Sequence, residues 1–208
     1  MSRNNFVLGL NDHIKENFWL YVISLICIFT GMVLGVYTVK YMGDIYKTDL
    51  ISYFQGFTEY LNTENLNYKG VFLNTIRSNI PFILFIWLLG MTMVGIPVIL
   101  IIGIIKGYTI GFTISFIINS VGLKGIGIAI FGVIIQNIIY IPCMIIASVL
   151  AMEFSLNFLK ERIDRRVKEN IWIKMLSYSC SFLAIIAVMF VGFFMEAYII
   201  PNILKIII

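Results

Sequence analysis

A single histidine serves the whole 208-residue chain, and charged side chains make up only 12% of it. Because His13 stands alone in a polar stretch, a His-based catalytic triad, an HExxH site and any His-rich metal centre are excluded. Cys27, Cys143 and Cys180 fall in or at the start of apolar runs without C-x-x-C spacing, so they read as small hydrophobes rather than redox or disulfide partners. No G-x-x-x-x-G-K-S/T or G-x-G-x-x-G occurs, and Gly122-Leu123-Lys124-Gly125-Ile126-Gly127 lacks the preceding strand that a phosphate cradle needs. The sequence therefore predicts no catalytic residue, no metal and no cofactor. The net charge of +4 sits in short segments between apolar runs, which excludes a nucleic acid partner.

What the chain has in abundance is apolar surface: 60% of its residues are hydrophobic and the mean hydropathy is +0.96. Soluble domains are nearer half apolar and about a quarter charged, so the expected fold is an all-α polytopic membrane bundle in contact with the lipid bilayer. Residues 18–39 form an unbroken apolar run that can cross a hydrocarbon core of about 30 Å. The run has no small-residue cleavage pattern and reads as an uncleaved anchor. Residues 79–122 carry one charge, Lys106, and must hold two crossings. A turn at Gly95-Ile96-Pro97 is preferred to one at Lys106-Gly107, because proline ends one helix and suits the first turn of the next. The expected spans are 80–95, 97–119, 126–152, the last kinked at Pro142, and 178–200, ended by Pro201-Asn202 before a short interfacial tail.

Lys and Arg set the orientation. With the N-terminus cytoplasmic, nine lie inside and six outside, and the basic loop 155–176, with six between Lys160 and Lys174, decides the matter. The C-terminus is then outside, and the 40–79 loop is the longest extracytoplasmic segment. In that loop Tyr46, Leu50, Tyr53, Phe54, Phe57, Tyr60 and Leu61 share a helical face that begins after an Asp44 cap. A turn at Asn62 to Asn67 and a second short helix, Gly70 to Arg77, are expected to follow. The aromatic stripe reads first as a cover on the bundle or a headgroup-level face, and second as a partner-binding surface.

Within the membrane the notable polar residues are Lys106, Gln136, Asn137, Glu153 and Glu196. A charge there costs about 2.5 to 3.5 kcal/mol and calls for a partner. Depth pairs Lys106 with Glu153 and sets Gln136 and Asn137 beside Glu196; a Lys106–Glu196 pair would have to bridge most of the bilayer and is rejected. These groups read as interhelical glue before they read as a proton or substrate path. Gly31-x-x-x-Gly35 and Gly103-x-x-x-Gly107-x-x-x-Gly111 are close-packing faces, within one chain before between chains, and a homo-oligomer stays open.

The order of elements then resembles a known family. Trp87-Leu88-Leu89-Gly90, Gly95-Ile96-Pro97-Val98-Ile99, Lys106-Gly107, Gly111-Phe112-Thr113, Gly122-Leu123-Lys124-Gly125, Gln136-Asn137, Ile141-Pro142 and Glu196-Ala197-Tyr198 stand in sequence over essentially the whole chain. This resembles the stage II sporulation protein M family of endospore-forming bacteria. The resemblance implies a non-enzymatic scaffold of the engulfment machinery, in the cell membrane at the sporulation septum and the engulfing membrane. It also implies two partners that degrade peptidoglycan, stage II sporulation proteins D and P. A permease subunit is the alternative, with Lys106, Gln136, Asn137 and Glu196 lining a path and the basic loop docking a cytoplasmic ATPase.

Overall fold

The computed structural model describes residues 13–63, 68–92, 94–163 and 171–207, and among these every element is helical. Five helical segments are long and apolar enough to cross a membrane, in the expected order. The first, α1 (Phe18–Tyr41), carries no charge until Lys40 in its last turn, and the chain leaves it through an extended Met42. Then α2 (Asp44–Thr63) runs along the 40–79 loop. Asp44 is its first residue rather than its cap: the Gly43 carbonyl accepts the Lys47 N–H at 3.2 Å, and the Asp44 charge lies in the first turn, where the helix dipole favours it.

Several boundaries differ from those the sequence predicts: the segment 155–176, expected as a loop, is helical up to Ile163 and again from Ile171, and two other helices run on through prolines. The separate helix expected at Gly70 to Arg77 is the opening of a continuous α3 (Tyr68–Gly90), which passes through Pro81. Likewise α7 (Ile171–Phe194) does not stop before Pro201 but continues through a π turn (Met195–Ile199) into α8 (Ile200–Ile207). Proline removes one ladder hydrogen bond, a loss that membrane helices tolerate where local geometry adjusts, and a π turn is such an adjustment.

The turn between the second and third spans lies at residues 91–94, so α4 (Gly95–Val121) opens with Pro97 in its first turn and holds Lys106 in its interior. Gly122, at φ 68°, takes the left-handed conformation that reverses the chain into α5 (Leu123–Ala129). A π turn (Ile130–Ile134) joins α5 to α6 (Ile135–Ile163), so the departure from α geometry precedes Pro142, where the kink was expected.

The main core lies among α3, α4, α6 and α7, where Ile83, Ile86, Ile99, Ala147, Met152 and Phe193 are almost fully buried. A smaller cluster at the α2 end joins Ile117, Ile128, Val133, Ile200 and Leu204, with Phe54 packed on it. Since lipid is as apolar as leucine, the helices associate through packing and hydrogen bonds rather than through hydrophobic burial. At the end opposite α2, the Tyr178 hydroxyl donates to the Trp87 carbonyl at 2.9 Å and the Ser155 hydroxyl to the Thr92 carbonyl at 2.8 Å, closing the α3–α4 turn onto α6 and α7.

Outside this core, α1 lies on α4. It buries Ser24, Ile28, Gly31, Gly35 and Val39 and presents most other large side chains outward. A Cβ placed on Gly31 would strike the Ile104 carbonyl oxygen, one on Gly35 the Tyr108 carbonyl oxygen, one on Gly107 that of Ile28 and one on Gly111 that of Met32. The two helices thus meet backbone to backbone within one chain. Gly103 is different: a Cβ there would rest at an ordinary 3.6 Å from Ile28.

Candidate functional site

Three groups of polar or aromatic residues stand out, and the innermost is a buried polar centre shared by α3, α4, α6 and the second π turn. Lys106 is about 16 Å along α4 from its start, at 1.5 Å per residue. Its Nζ donates to Asn79 Oδ1 at 3.0 Å and lies 4.6 Å from the centre of the Phe82 ring, so the ammonium has both a hydrogen-bond acceptor and a π face. Glu196 Oε2 accepts the Tyr140 hydroxyl at 2.6 Å, and the Thr75 hydroxyl is also hydrogen-bonded to the Glu196 carboxyl. Lys106 and Glu196 are electrostatic partners of one another.

This reverses two expectations. Lys106 does not meet Glu153: the Glu153 carboxylate lies 3.4 Å from His13 Nδ1, at the end of the bundle opposite α2. And Lys106 does couple to Glu196, because the fifth span runs on to Lys205 and the glutamate is about 14 Å from its end, not one turn. Nor do Gln136 and Asn137 hold Glu196. The Asn137 amide bonds the Val133 carbonyl of its own helix at 2.8 Å, and Gln136 instead lines a cavity that Glu196 also lines. Thr75, Asn79 and Tyr140 complete the centre without having been singled out in the sequence. The first two fall before the expected start of their span, whereas Tyr140 carried a usable signal, since a phenol hydroxyl deep in a membrane helix needs an acceptor.

The second group is that cavity, of about 420 Å3, between α2 and the bundle on the α2 side of the polar centre. The third is the face of α2. Its aromatic stripe divides in two: Leu50 and Phe54 turn inward, Phe54 meeting Phe116 edge-on with ring centres 6.4 Å apart, while Tyr46 and Tyr53 are 68% and 82% exposed. Tyr53 is at the cavity's edge and Tyr46 away from it. The side chains of Phe57, Tyr60 and Leu61 lie outside the described residues, as do most of the turn expected after Asn62 and the basic residues Arg165, Arg166 and Lys168.

Comparison with known proteins places the architecture. No curated protein and no solved structure matches the chain. The family described as stage II sporulation protein M matches residues 24–201, which takes in most of the first and fifth spans, the three between them, α2 and every residue of the polar centre. The chain, a multi-pass protein of five membrane-crossing helices, belongs to the stage II sporulation protein M family and so to the membrane proteins of sporulation.

Proposed function

We propose that the protein is a non-catalytic membrane scaffold of the engulfment machinery, and that the outward face of α2 holds peptidoglycan hydrolases at the sporulation septum. The observation that carries this reading is the division of the α2 stripe: Leu50 and Phe54 fix the helix to the bundle, while Tyr46 and Tyr53, beside them, stay 68% and 82% exposed. Tyrosine is favoured at interfaces because it offers a large, stiff, amphipathic surface, and a stripe only partly covered by the bundle leaves such surface for a partner. On the orientation expected from the Lys and Arg count, α2 lies on the extracytoplasmic side, where cell-wall enzymes work. The family supports stage II sporulation proteins D and P as the partners.

The test is recovery of those two hydrolases with the tagged protein from sporulating membranes. Tyr46→Ala or Tyr53→Ala alone should weaken recovery about thirtyfold if each side chain contributes about 2 kcal/mol, and the double change more, while the abundance of the scaffold stays normal. In the same cells a membrane-impermeant thiol reagent should label a cysteine placed at Asp49 and spare one at Lys160. Undiminished recovery would remove α2 as the docking face, and reversed labelling would remove the orientation. The permease alternative draws on Glu196 and Gln136 sharing one cavity. Its path would also need Lys106 and Asn137, which are bonded to Asn79 and to their own helix. It would be favoured if a cytoplasmic ATPase, and no hydrolase, came down with the protein.

A further inference from the structure

The cavity beneath α2 is walled by six helical elements and has two unlike ends. Two of its walls share one spacing: Ile128, Gly132, Val133 and Gln136 on one helix and Glu196, Ile200, Pro201 and Leu204 on the other, each at i, i+4, i+5 and i+8. On a regular α-helix these four positions spread over an arc of about 140°, with residue i+5 at its far edge from residue i. Each wall, however, contains a π turn, whose i to i+5 bonding brings the fifth residue back over the first. The irregular turns of the fourth and fifth spans thus narrow that arc and lie side by side along one concavity.

Direction along the helices sorts its lining. Towards α2 come Ile117, Ile128, Leu204 and Phe54, all apolar; towards the bundle centre come Thr113, Gln136 and Glu196. The Thr113 hydroxyl is bonded to the Thr109 carbonyl of its own helix at 2.8 Å. Glu196 takes hydrogen bonds from Tyr140 and Thr75, which leaves about half of a carboxylate's four acceptor sites. Among the described residues Gln136 hydrogen-bonds to nothing. A cavity of about 420 Å3 is within the size range of small-molecule sites, and an apolar chamber with a few convergent polar groups at one end is their usual form.

We propose that this cavity binds a single-chain amphiphile, head inward, whose head group donates hydrogen bonds and carries no negative charge. The head meets the Glu196 carboxylate and the Gln136 amide; the alkyl chain lies along Ile117, Ile128 and Leu204 and ends under Phe54. An alcohol and an ammonium satisfy these groups alike, whereas a carboxylate or phosphate head would face Glu196 at close range in a medium with little screening. The assignment is independent of the scaffold reading, because the exposed Tyr46 does not line the cavity and the cavity is walled chiefly by the bundle.

The probe is decanol carrying a photoreactive diazirine, applied to the purified full chain in phosphatidylcholine nanodiscs, with labelled peptides mapped by mass spectrometry. Labelling should concentrate on residues 128–136 and 200–204. Unlabelled decanol and decylamine should both compete, and decanoate should compete about tenfold less well. A stronger effect of decylamine would assign the natural head as an ammonium, and equal effects a hydroxyl. Glu196→Gln should let decanoate compete as well as decanol. Gly132→Phe, whose ring would occupy the space beside Leu204, should abolish the focused labelling; if that variant fails to fold, the Glu196→Gln comparison decides alone. Labelling spread evenly over lipid-facing positions such as Phe29 and Leu183, or equal competition by decanoate in the unmodified protein, would overturn the assignment.

Discussion

Two helices lie against α4 by opposite means. Along α1 the contact is backbone on backbone, with Gly31, Gly35, Gly107 and Gly111 each occupying space that no Cβ can share. Along α2 it is side chain on side chain, Phe54 against Phe116 at 6.4 Å, with a cavity beside it. The first contact lies in the membrane, where burial from water contributes nothing and dense van der Waals packing must hold the helices together. The second lies at the edge of the membrane, where an aromatic ring gains by leaving water. One joint is therefore intolerant of any added atom, and the other is loose enough to leave open space within it.

The contrast is broken most severely at the seam. Gly111→Leu, forced against the Met32 carbonyl, should cost about 3 kcal/mol or more in reversible unfolding in mixed micelles, because neither backbone can yield. Gly103→Ala should be nearly silent, since its Cβ would make an ordinary contact with Ile28. A similar loss at both positions would mean that the seam does not distinguish them.

Next in size comes the polar centre. Lys106→Met removes the positive charge that attracts Glu196 and leaves Asn79 Oδ1 without its donor, a loss of about 1 to 3 kcal/mol. Adding Glu196→Gln should recover part of that loss, while adding Glu153→Gln, whose partner is His13, should recover none. Recovery with Glu153 and none with Glu196, in the same unfolding assay, would restore the pairing suggested by sequence depth. The smallest stability effect is expected at the looser joint. Phe54→Ala should leave the unfolding midpoint of the bundle nearly unchanged, yet raise the rate at which added protease cuts near residues 44–63, as a helix losing its ring contact with Phe116 opens locally.

How far the sequence was legible follows the same physics. The number and order of the spans could be read because an apolar run has no other stable place, and the placement of α2 because its aromatic residues recur at helical spacing. The glycine spacings marked the seam but not that α1 and α4 were the partners in it. The polar centre was misread because depth was measured from the wrong ends. The second span was begun at Ile80, where the charges cease, and the fifth was ended at Pro201, which left Thr75 and Asn79 outside the membrane and Glu196 one turn from its surface. With α3 starting at Tyr68 and the last span reaching Lys205, all three come to the level of Lys106. The cavity had no signature at all, since nothing in the residues of a π turn announces the extra residue per turn.

The seam also dictates an order of construction. α1 is made first, but the helix it rests on comes after α2 and α3, so it must wait in the bilayer with its glycine face bare. It is equipped for that interval: Thr30 and Thr38 already spend their hydroxyls on the Ile26 and Leu34 carbonyls, and α4 supplies no partner even to the buried Ser24 hydroxyl. Nothing on α1 calls for α4 except shape. The docking is then a late event between two finished rods, and the glycines act as a latch that closes only when the correct rod arrives.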